Sequence, residues 1–199
     1  MPIETAKEFL TDKDGQRWFK SGDVGQVLPN GTIKLIDRKK DLVKLQMGEY
    51  VSLGKGIRLR WSSSDKGLTI CQNIAVESVL KLHPVVDNIC VVAHSTETYC
   101  VAVVVPSKPA LAKFTQNSTT PEEQAALESL DLSIKDLLAK DMLRFGTKNG
   151  LEKFEVPKKI QLVYDEWTPD SGLVTAALKL KRKQVEETYR GEIKALYNS

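Results

Sequence analysis

The chain has 199 residues, 41% of them hydrophobic, with 29 Lys and Arg against 26 Asp and Glu for a net charge of +3. This length allows one or two domains with packed cores, and so small and dispersed a charge argues against a dedicated nucleic-acid binder, which carries a basic stripe. No apolar run approaches the ~18 residues that cross a bilayer, and residues 1–10 lack the basic and apolar segments of a signal peptide. No membrane segment is therefore expected. Cys71, Cys90 and Cys100 are odd in number and lack C-x-x-C spacing, which points to reduced thiols in an intracellular protein and not to a disulfide framework. His83 and His94 do not join them at a zinc-like spacing, so no metal site is expected.

In chain order, residues 4–10 read as a short helix followed by a turn at 12–15, and residues 16–20 as a strand. Ser21-Gly22-Asp23 interrupts it and 24–28 resumes. Pro29-Asn30-Gly31 is a strong turn signal because Asn-Gly readily takes positive φ, so 24–36 is predicted to be a hairpin. Residues 35–51, LIDRKKDLVKLQMGEYV, carry Asp37, Arg38, Lys39, Lys40, Asp41 and Lys44, and then Gly48. The spacing of Leu42, Val43 and Leu45 favours a strand ending at Ile36, a charged turn and a second strand. From the residues alone, the charge run fits a solvated hairpin connection, Asp23 fits a turn aspartate or a carboxylate able to accept two hydrogen bonds from a vicinal diol, and Gly48 fits a turn or bulge glycine.

Further on, residues 76–82 are predicted to be a short amphipathic helix ended by His83-Pro84. Residues 88–93 and 99–105 are apolar strands, expected to form the core sheet with 162–164. His94, just after a strand, is expected to face solvent. Residues 109–114 read as helix and 115–120 as polar loop. Pro121 opens a longer helix to about Arg144, with Leu127, Leu130, Ile134, Leu137 and Leu138 along one side. Residues 146–150 break the pattern, and 184–197 read as a terminal helix that docks on the domain.

Three stretches, in this order, resemble the adenylate-forming (AMP-binding) superfamily, and in particular the long-chain fatty acyl-CoA synthetases, or long-chain-fatty-acid–CoA ligases. WFKSGD at 18–23 is similar to the family's aromatic-x-[ST]-G-D motif, IDRKKDLVKLQMGEYVSLGK at 36–55 to its hinge motif, and WTPDSGLVTAALKLKRKQV at 167–185 to the segment with its catalytic lysine. The resemblance implies an α+β fold: a small mobile C-terminal domain, residues 39–199, with a central β-sheet flanked by helices, preceded in residues 1–38 by a β-hairpin remnant of the large adenylation domain. It implies that Asp23 binds the ribose hydroxyls of ATP and the acyl-adenylate, and that Arg38 contacts the nucleotide through its rigid donor fork. Lys40 becomes the pivot of domain rotation, and Gly48 approaches the CoA pantetheine tunnel. Lys179, with Lys181 as the alternative in LKLKRK, neutralises charge as a carboxylate attacks the α-phosphate. ATP with Mg2+, CoA and a fatty acid are the implied cofactor and partners. The implied setting is intracellular, with the parent protein at the endoplasmic reticulum or another organelle membrane.

The family's Ser/Thr/Gly-rich phosphate loop, whose backbone amides hold the phosphates, has no counterpart in the sequence. The chain therefore reads as a C-terminal part of such a ligase and is expected to be inactive alone. The rival readings are a non-catalytic stand-alone binding domain and a part of another acyl- or aryl-CoA ligase. Residues 56–75 interrupt the resemblance, because joining Lys55 to Val76 restores the family pattern without a gap. Their twenty codons preserve frame and can spell a GT donor at Gly56 and an AG acceptor across Ala75 and Val76, so a retained intron is the preferred reading. A real surface loop is the alternative, since loop-closure cost grows slowly with length. The stretch shows no period long enough to predict an element of its own.

Overall fold

The computed structural model describes residues 8–39, 41–53, 58–62, 67–72, 76–117 and 134–198, with the backbone alone for 34–38, 58–62, 67–72, 116 and 117. The fold is α+β. Its centre is a three-stranded sheet in the order β11-β10-β9, with β9 (Val86–Val92) antiparallel to β10 (Val101–Pro106) and β11 (Lys159–Leu162) parallel to β10. The alternation of side chains along a strand divides this sheet between two cores. Ile89, Val91, Ala102, Val104 and Ile160 point into the first, with Val76 and Leu80 of α1 (Val76–Leu80) and Leu138 and Met142 of α3 (Ile134–Lys148). Cys90, Val92, Val101 and Val103 point into the second, with Trp167, Val185 of α4 (Arg182–Thr188) and Ile193 of α5 (Arg190–Asn198). Strands covered on both faces need apolar residues at every position, hence the unbroken VAVVV of β10.

Between β10 and α3 lies α2 (Lys108–Asn117), whose Leu111 joins the first core. The N-terminal part is built of two-stranded antiparallel ribbons. β1 (Phe9–Thr11) pairs with β2 (Arg17–Phe19), β3 (Asp23–Val27) with β4 (Ile33–Arg38), and β5 (Leu42–Lys44) with β6 (Tyr50–Ser52). The third ribbon reaches the first core through Leu45, Val51 and Leu53.

Several sequence expectations are corrected. Phe9–Thr11 is a strand where a helix over 4–10 was expected, with Phe9 opposite Phe19 and their rings 5.3 Å apart; residues 1–7 lie outside the described residues. Within 56–75, β7 (Arg58–Ser62) and β8 (Gly67–Gln72) form an antiparallel hairpin, so the inserted stretch does make an element. The helix drawn from Pro121 is described from Ile134 and runs on to Lys148 through Gly146, which was expected to break it. A Cβ at Gly146 would stand 2.8 Å from Val156 Cγ2 and 3.1 Å from Leu151 Cδ1, so this glycine permits close packing of the helix. The terminal helix is two helices that meet at the buried Tyr189, to whose hydroxyl the Trp167 indole donates at 3.4 Å.

Candidate functional site

The sequence-derived residues fall at three stations. At the first, the antiparallel register sets Asp23 directly opposite Arg38. Gly22, at φ +76°, makes the tight entry, the Asp23 N–H donates to Ser21 Oγ at 3.2 Å, and the Lys39 N–H donates to the Gly22 carbonyl at 2.9 Å. Asp23 is exposed. Asp12, in the preceding ribbon, is the turn aspartate that closes on its own loop: it accepts from the Trp18 indole at 2.7 Å and from the backbone N–H groups of Gln16 and Asp14 at 2.8 and 3.0 Å. The Trp18 bond, followed by those backbone bonds, holds the Asp12 carboxyl below its ordinary value. The Arg38 side chain and all of Lys40 lie outside the described residues.

At the second station, Gly48 turns the chain between β5 and β6. Its φ of +98° belongs to the region that glycine enters without a Cβ clash. The turn is closed by Gly48 N–H to the Leu45 carbonyl at 3.0 Å and Leu45 N–H to the Glu49 carbonyl at 2.7 Å. The Gln46 N–H donates to the Glu97 carbonyl at 3.0 Å, which fastens this turn to the β9–β10 connection.

Lys179 occupies the third station, an exposed tight turn closed by the Val174–Leu180 bridge. The Thr175 N–H donates to the Lys179 carbonyl at 2.8 Å and the Lys179 N–H to Thr175 Oγ1 at 3.1 Å. Leu178 holds φ +55°, a left-handed conformation that side-chain-bearing residues rarely adopt. Lys181 is half-buried where the chain enters α4, its N–H bonded to the Leu173 carbonyl at 2.9 Å.

One constellation was not foreseen. The Arg182 guanidinium grips Glu77 through both fork nitrogens at 2.8 and 2.9 Å and donates to the Val91 carbonyl at 2.6 Å. Its Nε stands 3.9 Å from Asp41 Oδ1. Glu77 also accepts the Val91 N–H at 2.8 Å. Burial pushes the Glu77 carboxyl up from its ordinary value and the guanidinium opposes that push. A bidentate pair with its remaining lone pairs satisfied keeps both charges inside the fold. The pair ties α4, three residues past Lys179, to α1 and to the residue after Lys40. The available signals were the Val76-Glu77 pair and the Arg in LKLKRK, but nothing in the sequence matches one to the other.

Cys90 and Cys100 are buried thiols. Burial pushes Cys90 up, and raises Cys100 to about 12, so neither is poised as a nucleophile. Among the described residues no group of three or more His, Cys, Asp or Glu could hold a metal ion, and no helix is long and apolar enough to cross a membrane.

The model of the AMP-binding enzyme C-terminal domain matches residues 75–170. Over 198 residues the chain is 42% identical to Long chain acyl-CoA synthetase 8 of Arabidopsis thaliana, an alignment covering 98% of this chain and 24% of that protein. It is 34% identical over 193 residues to Long-chain-fatty-acid–CoA ligase 1 of Schizosaccharomyces pombe, covering 96% of this chain and 25% of that one. Among solved structures, the A domain of a carboxylic acid reductase from Segniliparus rugosus, in complex with AMP and a co-purified carboxylic acid, matches with a TM-score of 0.69 at 27% identity. That match covers 99% of this chain and 25% of the reductase chain. The chain thus spans about a quarter of the length of the curated relatives it matches.

Proposed function

We propose that this chain works as the C-terminal part of a long-chain-fatty-acid–CoA ligase, since the model of the AMP-binding enzyme C-terminal domain matches residues 75–170. The observation that carries the reading is the 42% identity to a long-chain acyl-CoA synthetase over 198 residues. The complete protein would convert ATP, a fatty acid and CoA into acyl-CoA, AMP and diphosphate through an acyl-adenylate. Within it, residues 1–38 close the large domain and 39–199 form the small one. Asp23 would accept the ribose hydroxyls and Arg38, opposite it in the ribbon, would meet the nucleotide. Lys179 would offset charge at the α-phosphate during adenylation. Lys40 would absorb the backbone change as the small domain turns, and Gly48 would line the approach of pantetheine.

The placement of the two turns supports that division of labour. The Gly48 turn is rooted in the first core through Leu45 and Val51, and the Lys179 turn in the second through Leu173 and Val174. They belong to opposite layers of the sheet, so a rotation of this domain can offer one and then the other to a single substrate site. Mg2+ would accompany ATP. The setting we propose is intracellular, with the parent protein at the endoplasmic reticulum or another organelle membrane.

The test joins this chain, with and without residues 56–75, to the preceding three quarters of the A. thaliana synthetase and measures acyl-CoA formation. Activity of the joined protein lacking 56–75 is expected. The 199-residue chain alone should give no ATP–pyrophosphate exchange. In the joined protein Lys179→Ala should lower adenylation about 10²–10³-fold while sparing thioester formation from supplied acyl-adenylate. Inactivity of both joined forms, or exchange by the chain alone, would overturn the proposal.

A further inference from the structure

Single apolar side chains scattered over a surface are ordinary, so exposure alone assigns nothing. Among the described residues of 41–198, the three most exposed large apolar side chains are Met47 at 73%, Leu82 at 70% and Leu178 at 67%. Two of the three immediately precede a residue nominated from the sequence: Met47 precedes Gly48, and Leu178 precedes Lys179. Each stands at the tip of a turn whose backbone is fixed. The Met47 turn is closed by the Gly48 N–H on the Leu45 carbonyl and the Leu45 N–H on the Glu49 carbonyl, and Gln46 fastens it to the β9–β10 connection. In the other turn the Leu178 N–H donates to the Thr175 carbonyl at 2.8 Å, inside the frame of the Val174–Leu180 bridge.

The backbone at Leu178 adds a second observation. Its φ of +55° crowds the Cβ of any residue but glycine, and the side chain gains no burial in exchange. Glycine would hold the same turn with less strain. The folded chain gains nothing from this leucine, whereas a surface on which the turn docks can. In the first turn Gly48 supplies the positive φ, and Met47 beside it offers a flexible side chain that adapts to the surface it meets. The two turns are rooted in opposite layers of the sheet, one through Leu45 and Val51 and the other through Leu173 and Val174. One orientation of the domain therefore presents one tip.

We infer that Met47 and Leu178 are positioning residues used in alternation. Leu178 packs on the large domain of the complete ligase and seats Lys179 for adenylation; Met47 packs there and seats the Gly48 turn for thioester formation. The inference rests on the ligase reading above. Burying one such side chain changes a docking equilibrium about 10–100-fold, so its loss draws the domain away from one orientation only.

The test uses the joined protein lacking 56–75 and measures ATP–pyrophosphate exchange separately from thioester formation with supplied acyl-adenylate. Leu178→Gly should lower the kcat of exchange about tenfold or more, leave KM for ATP nearly unchanged and spare thioester formation. Met47→Ser should do the reverse, lowering thioester formation and sparing exchange. Leu178→Met and Met47→Leu should keep both half-reactions. Leu82→Ser, at an equally exposed position that adjoins no nominated residue, should change neither. In the 199-residue chain Leu178→Gly should leave the urea midpoint unchanged or raise it, which separates lost docking from lost folding; a lowered midpoint would place the leucine's role inside the chain and overturn the inference. So would equal loss of both half-reactions in either variant, no loss in either, or a matching loss in Leu82→Ser. An inactive joined protein would overturn the ligase reading and this inference with it, while an active one without the crossed pattern would overturn the inference alone.

Discussion

The sheet of β9, β10 and β11 and the ribbons of β1 to β4 are both built of short strands, yet they solve different problems. The sheet is covered on both faces within the chain, and Val101, Ala102 and Val103 are fully buried. The ribbons leave Leu10 and Trp18 52% exposed, Phe19 63%, Ile33 69% and Val27 71%. A two-stranded ribbon without a covering layer is at best marginal in water. One region carries its own stability, and the other carries apolar surface whose natural complement is the large domain of the complete ligase we propose.

The comparison breaks first at Glu77. Glu77→Ala strands the Arg182 guanidinium inside the fold and should cost about 3–5 kcal/mol, read by urea unfolding of the 199-residue chain. A loss no larger than that of a surface substitution would mean that water replaces Glu77 without penalty. Gly146→Ala, which drives a methyl toward Val156, should cost about 1–3 kcal/mol in the same transition. On the ribbon side, Trp18→Ala should move that transition by less than about 0.5 kcal/mol, because the exposed indole adds little to the two cores. A shift as large as that of Gly146→Ala would show that the ribbon unfolds together with the sheet.

The smallest expected effect is a pH effect. The Asp12 carboxyl has its pKa lowered in the folded chain, so its contribution is present above the ordinary value of 3.8 and is lost as pH falls through the lowered one. Trp18 fluorescence should therefore change only below that ordinary value, and in Asp12→Asn the acid step should disappear. A Trp18 transition at higher pH would assign the titration to another group.

How much was legible in the sequence follows the same division. β9 and β10 were readable because two-sided burial writes a continuous apolar run, and the hairpin of β3 and β4 because Asn30-Gly31 specifies its turn. The resemblance nominated Asp23, Arg38, Lys40, Gly48 and Lys179 as candidates by motif alone; the register sets Asp23 opposite Arg38, which no motif states. Phe9–Thr11 was misread as helix because a three-residue strand carries too few positions to display a period. The β7–β8 hairpin was passed over although Leu59 and Trp61 alternate with Arg58 and Arg60, the period of a half-buried strand. The Arg182–Glu77 pair joins residues 105 apart in sequence, and local pattern carries no information over that distance. Gly146 was misread because glycine that ends a helix and glycine that lets one pack closely are the same letter.

The parallel pairing of β10 with β11 also governs how the chain can be made. Residues 107–158 separate the two strands, so the last strand of the sheet reaches its partner only after α2 and α3 have been synthesised. Non-local pairing of this kind is slow to form. Until residue 159 has left the ribosome, β10 presents a bare apolar edge, the feature most prone to recruit a strand from another molecule. Translation that stalls in this interval should therefore yield a sticky nascent chain, and the protein's most buried strand would then be its chief liability during birth.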